Sequence, residues 1–223
     1  MNERFSYLAI NIAVVAVPIA FSFEPQLRFF RHWLRALTAN LLVAVPFLLW
    51  DVWFTAIGVW QFNSDYTLGI TWKGLPLEEI MFFISIPFAC LFLYENIKKF
   101  FAQAVKLQIA TPFIFMVGAS LLVAVAVGRP KLYTAICCGA LAPLLLVLAL
   151  TRYPRNGVLV LTYLIHLVPF ALINGLLTAL PVVIYNDAFN SGLRLGTIPV
   201  EDLAYSGLLL IFNILCYEWL GKR

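Results

Sequence analysis

Two short acidic runs carry the chemistry this chain can do: Pro76-Leu77-Glu78-Glu79 and Pro199-Val200-Glu201-Asp202. Each opens a long apolar run, and each run closes on Tyr-Glu, at Tyr94-Glu95 and Tyr217-Glu218. Nineteen residues separate Pro76 from Glu95, and nineteen separate Pro199 from Glu218. A carboxyl group in a low-dielectric setting resists ionising, and a like-charged neighbour makes it resist further. Such a pair titrates as a unit and holds a proton ready to give beside a group able to take one back. These four acids are the candidate acid and base groups of an integral membrane enzyme, with Asp51 as a supporting site residue. A competing reading makes them helix N-terminal charges, which favour the macrodipole and cap free N–H groups. The duplication and the presence of Asp51 favour the site, because ionisable side chains inside a membrane are functional candidates by default.

The rest of the chain says what must hold these groups. Of 223 residues, 63% are hydrophobic and 12% charged, which excludes a disordered chain and an ordinary soluble domain. About 20 helical residues, at about 1.5 Å each, cross a hydrocarbon core of roughly 30 Å. Seven stretches are long enough: 6–23, 34–58, 75–96, 107–127, 132–150, 158–184 and 199–220. The formal charge of +4 comes from loop lysines and arginines, so no nucleic-acid partner is expected. Cys90, Cys137, Cys138 and Cys216 lie inside apolar runs without metal-ligand spacing and read as buried apolar side chains. No glycine-rich dinucleotide motif, Asp-rich diphosphate motif or His/Cys cluster is present, so neither a metal nor a cofactor is expected. The seventh stretch has no lysine, which excludes a retinal Schiff base at its usual place. No cleavable signal is expected, since no clear small-residue site follows the long first run.

An offset of 123 residues aligns the two acidic runs and much else without a gap. Val45-Pro46-Phe47 falls on Val168-Pro169-Phe170, Asp51 on Asn174, Asn63 on Asn186 and Gly69 on Gly192. The expected fold is an all-α integral membrane protein whose seven transmembrane helices form two parallel three-helix repeats and a linking helix. The expected divisions are residues 1–100, 101–130 and 131–223. An offset of four helices gives both repeats one orientation, related by an axis along the membrane normal. Asp51, Asn174 and the four acids then share one depth and can face each other across a central cavity.

Asn174 is expected as a hydrogen-bonding partner, and His166 as a packing or interhelical hydrogen-bonding residue. Trp50, Trp53, Phe82, Phe83 and Tyr205 read equally as lipid-facing or packing aromatics and as site walls, whose ring faces would favour a passing carbocation. Pro46 and Pro169 are expected to kink the second and sixth helices and to open a lateral cleft. Glu95 and Glu218, roughly 25 Å of helix from the acidic runs, read as surface anchors. Ten basic residues fall on the side of the first, third and fifth loops and the C-terminus, against five on the other. The bias puts the N-terminus outside, the C-terminus in the cytoplasm and the acidic runs in the outer leaflet.

Four runs, Trp50-Asp51, Gly58-Val59-Trp60-Gln61-Phe62-Asn63, Leu75-Pro76-Leu77-Glu78-Glu79 and Pro87-Phe88-Ala89-Cys90, resemble the first half of the non-flavin lycopene cyclases. The second half, with Pro199-Val200-Glu201-Asp202, is similar to the partner subunit of the heterodimeric members. The resemblance implies a single-chain fusion that converts lycopene to β-carotene through γ-carotene. A proton adds to a terminal double bond, the ring closes on the cation, and a proton leaves without net oxidation. It implies Glu78, Glu79, Glu201 and Asp202 as acid/base residues, with Glu78 and Glu201 as the expected core pair. It also implies the cell membrane as location, with membrane lipid and other carotenoid enzymes as partners. Two alternatives stay open: ε rings or another polyene, and a small carrier of three-plus-one-plus-three helices. A carrier's path would need many polar side chains at mid-membrane, where these helices are mostly apolar.

Overall fold

The computed structural model describes residues 3–101 and 103–222, and no side chain from 102 to 106. Arg223 and the Lys106 side chain, both counted in the charge bias, lie outside what is described. The helices are α1 (Ser6–Phe21), α2 (Trp33–Ala56), α3 (Leu77–Phe100), α4 (Gln103–Gly128), α5 (Leu132–Leu150), α6 (Asn156–Ala179) and α7 (Glu201–Leu220). All seven are long and apolar enough to cross a membrane. The protein is therefore an all-α multi-pass membrane protein. Among the described residues, six short strands lie in the connections: β1 (Trp60–Phe62), β2 (Thr71–Trp72), β3 (Leu75–Pro76), β4 (Val183–Tyr185), β5 (Arg194–Leu195) and β6 (Ile198–Pro199).

These strands shorten the helices expected at 75 and 199. Pro76 and Pro199 belong to β3 and β6, paired with Thr71 of β2 and Arg194 of β5. Pro76 is extended (φ −67°, ψ 152°) and stands just before the first helical residue. The β2–β3 turn is Lys73-Gly74, both at positive φ, as a two-residue hairpin requires.

α1 packs along α3, and α5 along α7; α2 crosses to α7 and α3 to α6, so each repeat clasps the other. α4 lies outside this arrangement, against α5 and α6. Its Gln108 ties down the α5–α6 connection, donating to the Tyr153 carbonyl and accepting from the Gly157 amide, each at 2.8 Å.

The relation between the repeats is visible where β1 and β4 pair antiparallel. Gln61 faces Ile184, its own counterpart 123 residues on, flanked by Trp60 opposite Tyr185 and Phe62 opposite Val183. Asn63 N donates to Val182 O (3.0 Å) and Asn186 N to Val59 O (2.9 Å), the same contact made twice. Such reciprocity is the mark of a twofold relation, with the axis between Gln61 and Ile184.

The opposite end of the bundle corrects one expectation. Glu95 and Glu218 are buried, not surface anchors. Tyr94 donates to Glu218 across the repeats (2.8 Å), and Lys98 sits between the two glutamates, 3.3 Å from Glu218 and 2.5 Å from Glu95. Arg155 pairs with Glu218 and Arg35 with Glu95 (3.4 Å), while Arg35 covers the Tyr217 ring at 3.6 Å. Basic side chains brought from two helix ends and a loop let both carboxylates be desolvated, because buried charges need partners.

Candidate active site

The four acids of the two runs divide into two kinds. Glu78 and Glu201 turn toward their own connections. Glu78 accepts from the Leu68 amide (2.6 Å), and Glu201 from the Ser191 amide (2.6 Å), again 123 residues apart. Gly69 and Gly192 follow those amides with φ of +82° and +74°, a conformation that glycine adopts without a Cβ clash. Thr134 of α5 also donates to Glu201 (2.6 Å), and Asn11 of α1 reaches the Glu78 carbonyl (3.1 Å). Glu78 and Glu201 are fully buried and do not line the central cavity, although they were the expected core pair.

Glu79 and Asp202 do line it. One residue further along a helix turns a side chain by about 100°, so the second acid of each run faces inward while the first faces the loop. The hydroxyl of Tyr7, at the start of α1, donates to Glu79. The buried Asp51 carboxyl, from α2, lines the same cavity beside Glu79. Trp60 of β1 donates its indole N–H to Asp51 Oδ1 (2.6 Å), while Oδ2 meets no donor among the described residues. Two neighbouring carboxyl groups in an apolar setting resist ionising together, which favours a proton on one of them.

Asp202 has a different shell. It accepts from Tyr133 of α5 (2.6 Å), Asn174 of α6 (2.7 Å) and Tyr185 of β4 (2.8 Å). Three donors satisfy the carboxylate without a proton of its own. Burial and the adjacent Asp202 push the Tyr185 hydroxyl well above its usual range, which keeps it a donor. Trp60 and Tyr185 are direct cross-strand partners, so the small sheet aims one donor at each repeat's carboxyl.

Both carboxyl clusters open into one cavity of about 440 Å³. Its walls are Phe82, Phe83 and Ile86 of α3, Phe170 and Ile173 of α6, and Tyr205 and Leu209 of α7. Tyr205 stands between the clusters: its ring lies 6.3 Å from Trp60 and 6.5 Å from Tyr133, the donors to Asp51 and Asp202. Of the expected walls, Phe82 and Tyr205 take part, with Asp51 and Asn174. Trp50 and Trp53 do not line the cavity. Trp53 is 47% exposed, being about 200° around α2 from Asp51, and Trp50 packs edge-on against Phe54 and Tyr205. His166 is buried, lines the cavity and leaves Nδ1 unpaired.

Sequence reasoning missed Tyr7, Trp60, Tyr133 and Tyr185 as site residues. Tyr7 and Tyr133 are 126 residues apart, three more than the repeat offset, so the alignment that paired the acids did not pair their donors. Tyr185 falls on Phe62 at the offset of 123, and a hydroxyl gained at an aromatic position was the available signal.

Buried carboxyl groups, Asp51 beside Glu79 and Asp202 amply supplied with donors, line one apolar aromatic chamber. That arrangement can protonate a hydrocarbon, shelter a cation from water and hold an anion beside it. A family model described as lycopene cyclase matches residues 4–97 and 130–220. No curated protein and no solved structure matches the chain.

Proposed function

The chain belongs to the lycopene cyclase family and is an enzyme of carotenoid cyclisation; from that premise we propose a lycopene β-cyclase in which the two repeats take different chemical parts. The reading divides the chain into cyclase repeats at 1–100 and 131–223 and a linker at 101–130. The Asp51–Glu79 pair supplies the proton. Glu79 delivers it to the terminal double bond of lycopene, and Asp51 stays beside it as its partner. The ring closes on the resulting cation between the faces of Phe82 and Tyr205, which attract positive charge. Asp202, held by Tyr133, Asn174 and Tyr185, balances that charge and takes the ring proton, so the reaction is redox-neutral. Loss of the proton that leaves a β ring gives γ-carotene from the first end and β-carotene from the second. Glu78 and Glu201 act through the loops they tether, fixing the helix phase that turns Glu79 and Asp202 inward. The basic bias supports an outside N-terminus and a cytoplasmic C-terminus in the cell membrane.

The observation that carries this reading is the single chamber onto which Asp51, Glu79 and Asp202 converge. Pigment chromatography of lycopene-accumulating cells tests it. Glu79→Gln and Asp202→Asn are expected to lower ring formation by about 10²- to 10⁴-fold at unchanged membrane levels, the range for a lost acid–base group. Glu78→Gln and Glu201→Gln are expected to lose less activity and more protein. Cyclic product at the wild-type rate from Glu79→Gln would sink the assignment.

A further inference from the structure

The chamber has a side that is not closed by protein. α1 and α6 run antiparallel and meet near the carboxyl end, where Tyr7, Ile10 and Val14 pack with Ile173, Leu177 and Val182. Beyond this cluster the two helices are only lightly packed against each other. Ala13 and Val17 of α1 and Pro169 of α6 line the cavity, yet all three are exposed on the outside of the bundle, Val17 by 57%. A residue that is at once cavity wall and outer surface marks an opening. Val17 is eleven residues into α1 and Pro169 ten residues from the end of α6, so both lie roughly 15 Å of helix below the carboxyl end. That depth is the middle of a hydrocarbon core of about 30 Å, where lipid tails are the solvent.

Just inside the opening, His166 and Phe170 line the cavity, their rings 5.6 Å apart, with Tyr163 stacked behind His166 at 6.0 Å. A row of flat rings suits a flat conjugated chain better than a bulky polar ligand. Pro169 has no N–H to give the Ile165 carbonyl, which loosens α6 at the same level.

We propose that the slot between α1 and α6 is a side door, through which one end of a long conjugated hydrocarbon slides from the bilayer interior into the chamber. The end then travels up between α1, α3, α6 and α7 to the carboxyl clusters, while the rest of the molecule lies out in the lipid through the slot. The proposal rests on the cyclase reading, since the chamber it serves is the one assigned to ring closure.

Tryptophan placed in the slot tests it. Ala13→Trp and Val17→Trp are expected to slow conversion of lycopene in membranes by about tenfold or more, as for a blocked access step. Ile12→Trp and Val168→Trp, exposed on the same two helices but away from the cavity, are the controls and are expected to keep the wild-type rate. A second measurement does not depend on turnover: a benzophenone side chain at position 17 is expected to crosslink to lycopene on illumination, and one at position 12 is not. Wild-type rates from both slot variants, or equal crosslinking at 17 and 12, would remove the door and leave the cyclase standing. Absence of rings from the unaltered protein would remove both.

Discussion

The two repeats build the same corner of the molecule with different side chains: one corner is packed with rings and the other borders the cavity. At matching positions, α2 carries Val43, Phe47, Trp50, Asp51 and Phe54, where α6 carries His166, Phe170, Ile173, Asn174 and Leu177. In the first repeat the large rings interlock: Phe47 with Trp50 at 5.8 Å, Trp50 with Phe54 at 5.6 Å, and Trp50 with Tyr205 of α7 at 5.0 Å. α2 lies closely along α3 as a result. In the second repeat Ile173 and Leu177 are smaller, α6 touches α7 only lightly, and the space between them is the cavity. Duplication supplied two equivalent hollows, and aromatic packing has filled one. The acids nonetheless converge on the open one, because Asp51 reaches it from α2 and Tyr133 from α5. A twofold scaffold thus presents a one-sided chamber, with an acid–acid pair on one wall and an acid with three neutral donors on the other.

The difference can be broken from either side. Ile173→Trp, which gives α6 the residue α2 already has, is expected to fill the chamber and remove ring formation altogether. The protein should still accumulate in the membrane, since one oversized side chain at a cavity wall costs at most about 1–3 kcal/mol; undiminished product would show that the hollow is not where the chemistry happens. Asp51→Asn makes the first repeat's carboxyl shell resemble the second and leaves Glu79 without an acidic partner. Its expected effect is a fall of about a hundredfold in initial rate with little change in stability, measured on membranes equalised for protein. The converse is Trp50→Leu with Phe54→Leu, which reopens the filled corner. It should lower stability by about 2–5 kcal/mol, read from thermal unfolding in detergent, while leaving the identity of the product unchanged.

Much of this was legible in the chain. Seven apolar stretches, a repeat at 123 residues and the matched acids require only composition and spacing, and the helices follow within a few residues. The correspondence of Asp51 with Asn174 at the repeat offset was equally plain. The facing of the acids was not. Glu78 and Glu79 are neighbours in a first turn, and which of them points inward is decided by a loop amide at Leu68 that no periodicity reveals. Trp60 and Tyr185 sit in strands of three residues, too short to show alternation, and acquire their role only by pairing across the repeats. Glu95 and Glu218 looked like surface groups because each is preceded by a tyrosine near basic residues. Their burial depends on Arg35 and Arg155 arriving from elsewhere in the chain. The closed corner was written in the alignment as Trp50 over Ile173 and Phe54 over Leu177, but volume has meaning only once the helices are placed.

The three-residue ladder between β1 and β4 has a consequence for how such a protein comes alive. A strand so short cannot hold its shape alone, so neither Trp60 nor Tyr185 is aimed until the two halves have met. Slipping the ladder by one residue would turn both donors away together. Joining the two halves and aiming the two donors are therefore a single event.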